Sequence, residues 1–161
     1  QRYEVYAWEE TLDRDWIDHR EAKKLVQRIN MDYDLDVSVS FRFGMSGGRS
    51  GRPSVAIGSS KIVIRHTRGG GTKSNPLTVY DVQDMLQTGE NRSRKLVSKD
   101  VLLHEFAHSI KFHYGIDGDS HGPEFCRLFA ELLHRYGGYT KASVLRSMRD
   151  HGLIKTTHPT R

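Results

Sequence analysis

The chain has 161 residues, a formal net charge of +5 and 36% hydrophobic residues, a composition typical of one folded domain and not of a disordered segment. No run approaches the roughly 18 apolar residues that a membrane helix needs, which excludes an integral membrane protein. The single cysteine, Cys126, excludes a disulfide framework and a four-cysteine zinc ribbon. With no visible signal-peptide segment, these features predict an intracellular protein of the cytoplasm or nucleoid.

The charge is unevenly distributed along the chain. Residues 1–36 carry a net charge of −4, residues 37–100 carry +7 and residues 101–161 carry +2. A basic middle third is a candidate surface for DNA or for an acidic protein. Solvated, arginine-rich loops explain the same charge equally well. DNA binding through residues 37–100 is therefore an open expectation.

The first half of the chain predicts a short strand, then a helix, then further strands. Residues 3–8 alternate weakly between polar and apolar and predict a short edge strand. Residues 15–29 have apolar positions at helical spacing and predict an amphipathic helix. Strict alternation over residues 35–43 predicts a half-buried strand, and further strands are predicted at 54–57 and 61–65.

The second half predicts helices. The glycine-rich residues 44–52 predict a loop, which lacks the spacing and lysine of a phosphate-binding loop, and residues 78–87 predict a helix. Ser98 is a suitable N-cap for a helix that stops near Gly115. Further helices are predicted at residues 123–136 and 140–151. The order of elements indicates an α+β fold without an internal domain boundary.

The helix that begins after Ser98 contains the most informative motif, an HExxH at His104, Glu105 and His108. A spacing of four residues places both imidazoles on one helix face, where they can hold one Zn²⁺. Glu105 lies about 100° further round the helix and can accept a proton from a water molecule that the metal activates. Composition alone gives an expectation of about 0.02 HExxH matches in a chain of this length.

A catalytic zinc site needs a third protein ligand. Spacing leaves several downstream candidates open, namely His113, Asp117, Asp119, His121, Glu124, Glu131 and His134. Donors for an oxyanion are equally undecided among Tyr114, Arg127, Tyr136 and Tyr139. Residues 61–65 are the candidate strand for aligning an extended substrate by main-chain pairing. Cys126 is interpreted as a buried core residue.

The stretch His121-Gly122-Pro123-Glu124-Phe125, separated from His108 by twelve residues, resembles the second motif of the SprT-like metalloproteases, which include the Spartan-type proteases that cleave proteins crosslinked to DNA. The resemblance implies that His104, His108 and His121 bind zinc and that Glu105 is the general base. It also implies a single zincin-like α+β domain over residues 1–161, with a short mixed sheet packed against the HExxH helix.

By this resemblance the chain is expected to be a zinc metallopeptidase that acts on protein or peptide substrates, including DNA-associated or DNA-crosslinked proteins. The C-terminal zinc ribbon and DNA-binding segments of many family members have no counterpart in this sequence. The alternative is a basic nucleic-acid-binding module with a structural zinc site, whose affinity would fall steeply with salt.

Overall fold

A computed structural model describes residues 2–12, 15–43, 55–66 and 96–155. Within these ranges the chain forms five helices and five strands. In chain order they are α1 (Arg2–Glu9), β1 (Trp16–Asp18), α2 (His19–Tyr33), β2 (Ser38–Phe43), β3 (Val55–Ile57), β4 (Lys61–His66), β5 (Leu96–Ser98), α3 (Lys99–His113), α4 (Pro123–Gly137) and α5 (Lys141–Asp150).

The strands form two small sheets. Strands β1 and β5 pair antiparallel, with Ile17 opposite Val97. The second sheet has the order β2-β4-β3, in which β4 is parallel to β2 and antiparallel to β3. The predicted α+β class with a short mixed sheet is therefore confirmed.

Helix α3 lies at the centre of the fold. It contacts β3, β4 and β5 on one side and α4 on the other, and α4 in turn packs against α5. One continuous core results, whose largest fully buried side chains include Trp8, Ile62, Leu102, Phe106, Phe125 and Phe129. Because α3 is buried on both sides, the side chains of its HExxH motif are held in place by surrounding structure.

The prediction of an edge strand at residues 3–8 is wrong, because this segment is helix α1. Val5, Trp8 and Glu9 are buried while Tyr3 and Glu4 are exposed. Positions 5, 8 and 9 follow helical spacing, and Glu9 belongs to the buried face although it is charged. The pattern of apolar residues did not indicate a helix here, because a carboxylate such as that of Glu9 is expected to face solvent.

The helix predicted over residues 15–29 begins later than expected. Trp16–Asp18 forms β1, and α2 starts after Asp18, whose carboxylate accepts a hydrogen bond from the Glu21 backbone N–H at 2.8 Å. Asp18 is a favourable N-cap, and pairing with β5 satisfies the backbone before it. Strand β5 itself was not predicted.

The remaining elements agree with the sequence to within a few residues. The predicted strands at 35–43, 54–57 and 61–65 correspond to β2, β3 and β4, and the last three predicted helices correspond to α3, α4 and α5. The loop predicted at 44–52 and the helix predicted at 78–87 lie outside the described residues. Among the described helices, none has the length and apolar character required to cross a lipid bilayer.

Candidate metal centre

Helix α3 presents the HExxH side chains inside the fold. The hydroxyl of Ser98 caps its first turn by accepting a hydrogen bond from the Val101 backbone N–H at 3.3 Å. His104 is 2% exposed and Glu105 is 7% exposed, while His108 is half-buried. The helical spacing of four residues brings His104 and His108 together as predicted, with 3.2 Å between their Nε2 atoms.

His121 reaches the same point from the segment between α3 and α4. Pro123 occupies the first turn of α4, so the chain enters the helix directly after His121 and Gly122. The Lys111 ammonium donates a hydrogen bond to the Gly118 carbonyl at 3.0 Å, which ties this segment back to α3. His121 is thereby held 8% exposed.

The three imidazoles converge on one point. Nε2 of His121 lies 3.1 Å from Nε2 of His108 and 3.3 Å from Nε2 of His104. Four-coordinate tetrahedral binding with metal–nitrogen distances of about 2.0–2.1 Å requires nitrogen atoms about 3.3 Å apart. The spacing of the three nitrogens therefore fits a metal ion between them, and these side chains could hold one.

Burial and neighbouring charges favour the neutral, metal-binding form of His108. Burial, with help from His104, His121 and Lys111, lowers the pKa of His108 to about 3, so this imidazole is uncharged at neutral pH. Phe125 stacks on His108 at 4.4 Å between ring centroids, and Tyr6 stacks on His104 at 5.7 Å. The rings are thus fixed by contacts on their faces as well as by their own helices.

Glu105 lies beside the three histidines in an environment suited to proton transfer. Burial is the main reason that the pKa of Glu105 is raised to about 7, and the charge of Glu9 contributes in the same direction. The charge of His104 and a hydrogen bond from the Ala56 backbone N–H act in the opposite direction. A carboxyl group that titrates near neutral pH can both take up and release a proton there.

An open cavity of about 660 Å³ gives access to the site. Glu105, His108 and His121 line its inner wall, and Val55 and Ala56 of β3 line another side. Three of its lining side chains are exposed apolar groups, namely Val55, Phe112 and Ile116. A ligand in this cavity can contact the histidines, the Glu105 carboxylate and an apolar rim.

The other candidate ligands lie away from the three-histidine cluster. His113 and Asp119 are exposed, and Glu131 forms an ion pair with Lys141 at 2.7 Å. His134 contacts the Tyr139 carbonyl through Nδ1 at 2.9 Å. Of the remaining candidates, Glu124 is exposed in the first turn of α4, and Asp117 lines the cavity without joining the cluster.

The candidate oxyanion donors are not gathered around the site. Tyr136 donates its hydroxyl hydrogen bond to Asp32 at 2.7 Å, and Tyr114 donates to the Tyr33 carbonyl. Arg127 lines a separate cavity with Lys141, and Tyr139 packs against the core. The tyrosine that lines the 660 Å³ cavity is instead Tyr6.

The prediction that residues 61–65 align a substrate is wrong. These residues form β4, which is paired on both sides by β2 and β3, so its main-chain groups already have partners. Strands β2 and β3 are the two edge strands of this sheet within the described residues, and β3 borders the cavity.

The buried thiol confirms the interpretation of Cys126 as a core residue. Cys126 is fully buried, and burial raises the pKa of its thiol to about 12. The thiolate form is therefore negligible at neutral pH.

Two residues of α1 that contact the three-histidine cluster were not predicted from the sequence. Tyr6 contacts the rings of His104 and His121, and Glu9 lies 2.8 Å from Nδ1 of His104. Helical spacing at positions 5, 8 and 9 could have placed Glu9 on a buried face. Its partner 95 residues away carries no signal in a single sequence.

Comparison of this chain with protein-family models, with curated proteins and with solved structures finds no match in any of the three.

Proposed function

We propose that the chain is a zinc-dependent metallopeptidase, a single zincin-like domain of the SprT-like type that hydrolyses peptide bonds in proteins or peptides. One observation carries the proposal. The three Nε2 atoms of His104, His108 and His121 lie 3.1–3.3 Å apart, next to the buried carboxylate of Glu105 and at the wall of an open cavity. A metal site of three histidines with access from outside is typical of catalytic zinc.

Zinc is favoured because imidazole nitrogens are among its preferred ligands and three of them leave a fourth position open. When bound, it would supply a Lewis acid that acidifies water and polarises a substrate carbonyl. Glu105 acts as the base, taking the proton of the attacking water and transferring it to the leaving amine nitrogen. Its raised pKa favours the first step, because a carboxylate with an ordinary pKa is a weaker base towards water.

The cavity fits an extended peptide. An edge strand can pair with a substrate main chain, and β3 offers such an edge beside Glu105. Phe112 and Ile116 are 68% and 37% exposed, and apolar side chains of a substrate can bury this surface on binding. Unfolded protein segments combine both features, an available main chain and exposed apolar side chains.

DNA-associated or DNA-crosslinked proteins are the substrate class that the SprT-like resemblance implies. The basic segment at residues 37–100, the proposed DNA contact, lies largely outside the described residues. The alternative function, a nucleic-acid-binding module with structural zinc, agrees less well with the cavity, since structural zinc sites are closed by four protein ligands. The two functions differ in whether protein is cleaved.

The test is metal content and proteolysis of the same preparations. We expect elemental analysis to find zinc in the wild type and in E105Q, and to find it lost in H121A. Hydrolysis of labelled casein should fall by about 10²–10⁴-fold in E105Q, the contribution typical of a general base. H113A is the matched control, since His113 is an exposed histidine at the end of the same helix.

Two results would overturn the proposal. Undiminished casein hydrolysis by E105Q would refute the mechanism, and retention of zinc by H121A would refute the three-histidine site. Strongly salt-dependent binding of an oligonucleotide, with no hydrolysis of casein by the wild type in its presence or absence, would establish the alternative function.

A further inference from the structure

A buried carboxylate contacts the side of His104 that faces away from the other two histidines. Oε1 of Glu9 lies 2.8 Å from Nδ1 of His104, while Nε2 of the same ring points at His108 and His121. Both partners are almost inaccessible, with side chains 8% and 3% exposed. The contact joins the last residue of α1 to the middle of α3.

The contact decides which nitrogen of His104 carries a proton. A carboxylate is an acceptor, so Nδ1 must be the donor, and in the neutral imidazole Nε2 is then the nitrogen with the lone pair. A hydrogen bond from an imidazole to a carboxylate also increases the basicity of the nitrogen that binds a metal. Glu9 therefore holds His104 in the tautomer and orientation that the cluster requires.

We propose that Glu9 is a positioning residue for the metal centre, and that α1 is for this reason a functional part of the site. The inference rests on the proposed metal site but not on peptidase activity. The carboxylate acts through His104 without contacting the metal, and its negative charge offsets part of the charge of a divalent ion bound to three neutral ligands.

Other residues of α1 account for its attachment to the fold. Val5 and Trp8 are fully buried, and the Trp8 indole N–H donates a hydrogen bond to the Ser147 hydroxyl at 2.9 Å. The Trp8 ring packs edge-on against Phe129 at 5.9 Å. Substitution of Glu9 alone leaves these contacts in place, so its effect on the metal can be measured in a folded protein.

The experiment measures the affinity of the full chain for Zn²⁺ by competition with a chromophoric chelator. We expect E9Q, whose amide has the same shape without the charge, to bind about 10-fold more weakly than the wild type, and E9A to bind up to about 100-fold more weakly. E10Q is the matched control, because Glu10 is the adjacent, exposed glutamate. It should bind with wild-type affinity.

Cobalt provides a readout that a purely structural role would not change. We expect the visible absorption spectrum of the Co²⁺-loaded protein to shift in E9Q, because the donor strength of His104 changes, and to stay unchanged in E10Q. Far-ultraviolet circular dichroism of the metal-free variants verifies that they are folded. If E9A does not fold, E9Q is the decisive variant.

Wild-type affinity for Zn²⁺ in both E9Q and E9A would overturn the proposal. A wild type that binds no Zn²⁺ would overturn it together with the metal site. Weakened binding in E9Q, combined with a wild type that binds Zn²⁺ and cleaves no protein, would support the role of Glu9 and refute the proposed peptidase.

Discussion

At the scale of single residues, Glu105 carries a cost for the fold. It is 7% exposed and lies near Glu9, so its ionised form is disfavoured and its pKa rises from 4.5 to about 7. Groups shifted in this way are characteristic of functional sites, where stability is lost to retain a reactive side chain. The cost depends on pH, which makes it measurable.

In the metal-free protein, E105Q should become the more stable variant as the pH rises. The folded protein favours the protonated form of Glu105. The carboxyl group therefore destabilises the fold least below its unfolded pKa of 4.5, where it is protonated in both states. The loss of stability grows as the pH rises, until the pH passes the folded pKa of about 7. The free energy of unfolding of E105Q relative to wild type should therefore increase by on the order of 3 kcal/mol between about pH 4.5 and pH 8. Urea denaturation in the presence of a chelator measures it.

Both proteins contain the other titrating groups, including His108. The difference between their free energies of unfolding therefore removes the contribution of those groups. A pH-independent difference between the two variants would contradict the raised pKa of Glu105. H113A, which changes an exposed side chain, should follow the wild type across the same pH range.

Sequence and structure agree best for residues whose partners are close along the chain. His104, Glu105 and His108 could be grouped because helix geometry fixes residues four apart on one face. His121 could be added only through the resemblance of its local motif. Glu9 and Tyr6 could not be found, because their contacts with α3 depend on how α1 packs and no spacing rule describes that.

At the scale of elements, the segment between α3 and α4 determines where His121 lies. Gly118 adopts φ of +108°, a conformation that residues with a side chain rarely accept, and a Cβ there would come within 2.5 Å of Oε2 of Glu124. Its carbonyl also accepts the hydrogen bond from Lys111. The φ of Gly118 is the main reason for glycine at this position, because the exposed end of the Glu124 side chain can move away from a Cβ.

G118A should lower the free energy of unfolding by about 2 kcal/mol, since the strained backbone must be retained or the turn must change. G115A is the matched control. Gly115 also has positive φ, +62°, but it lies in the left-handed helical region, and a Cβ at this position would meet no other atom within 4 Å. We expect G115A to lower the free energy of unfolding by about 1 kcal/mol.

Urea denaturation of the two variants gives the comparison. Equal losses in G118A and G115A would show that Glu124 and the unusual φ of Gly118 add no constraint. Because the turn carries His121, we also expect Zn²⁺ affinity to fall in G118A and to be retained in G115A.

Elements were predictable where their own residues decide the structure. Strict alternation identifies β2, and helix caps with apolar spacing identify α3 and α4. Strands β1 and β5 have three residues each and exist because they pair with each other across the fold. Such short strands have no period long enough to recognise, and α1 was mistaken because its buried face includes a carboxylate.

At the scale of the whole molecule, a bound metal would connect parts of the chain that are distant in sequence. His104 and His108 belong to α3, His121 precedes α4, and Glu9 brings in α1. An ion that binds only when these parts are assembled stabilises the folded state by mass action.

Zn²⁺ should therefore raise the melting temperature of the wild type. At a free concentration about 100 times the Kd, the folded state gains about 2.7 kcal/mol, which corresponds to roughly 5–10 °C for a domain of this size. H121A should show no such shift, while H113A should match the wild type. Thermal unfolding followed by circular dichroism measures this, and an equal shift in H121A would contradict the site.

The hydrogen bond between Trp8 and Ser147 spans 139 residues. A ribosome synthesises the amino-terminal part first and adds about 5–20 residues per second. The interval between the synthesis of Trp8 and that of Ser147 in α5 is therefore roughly 7–28 s. Glu9 cannot settle against His104 before α1 docks. A nascent chain is thus without a finished metal centre until the residues of α5 have been made, and the proposed peptidase would gain its activity only after that point.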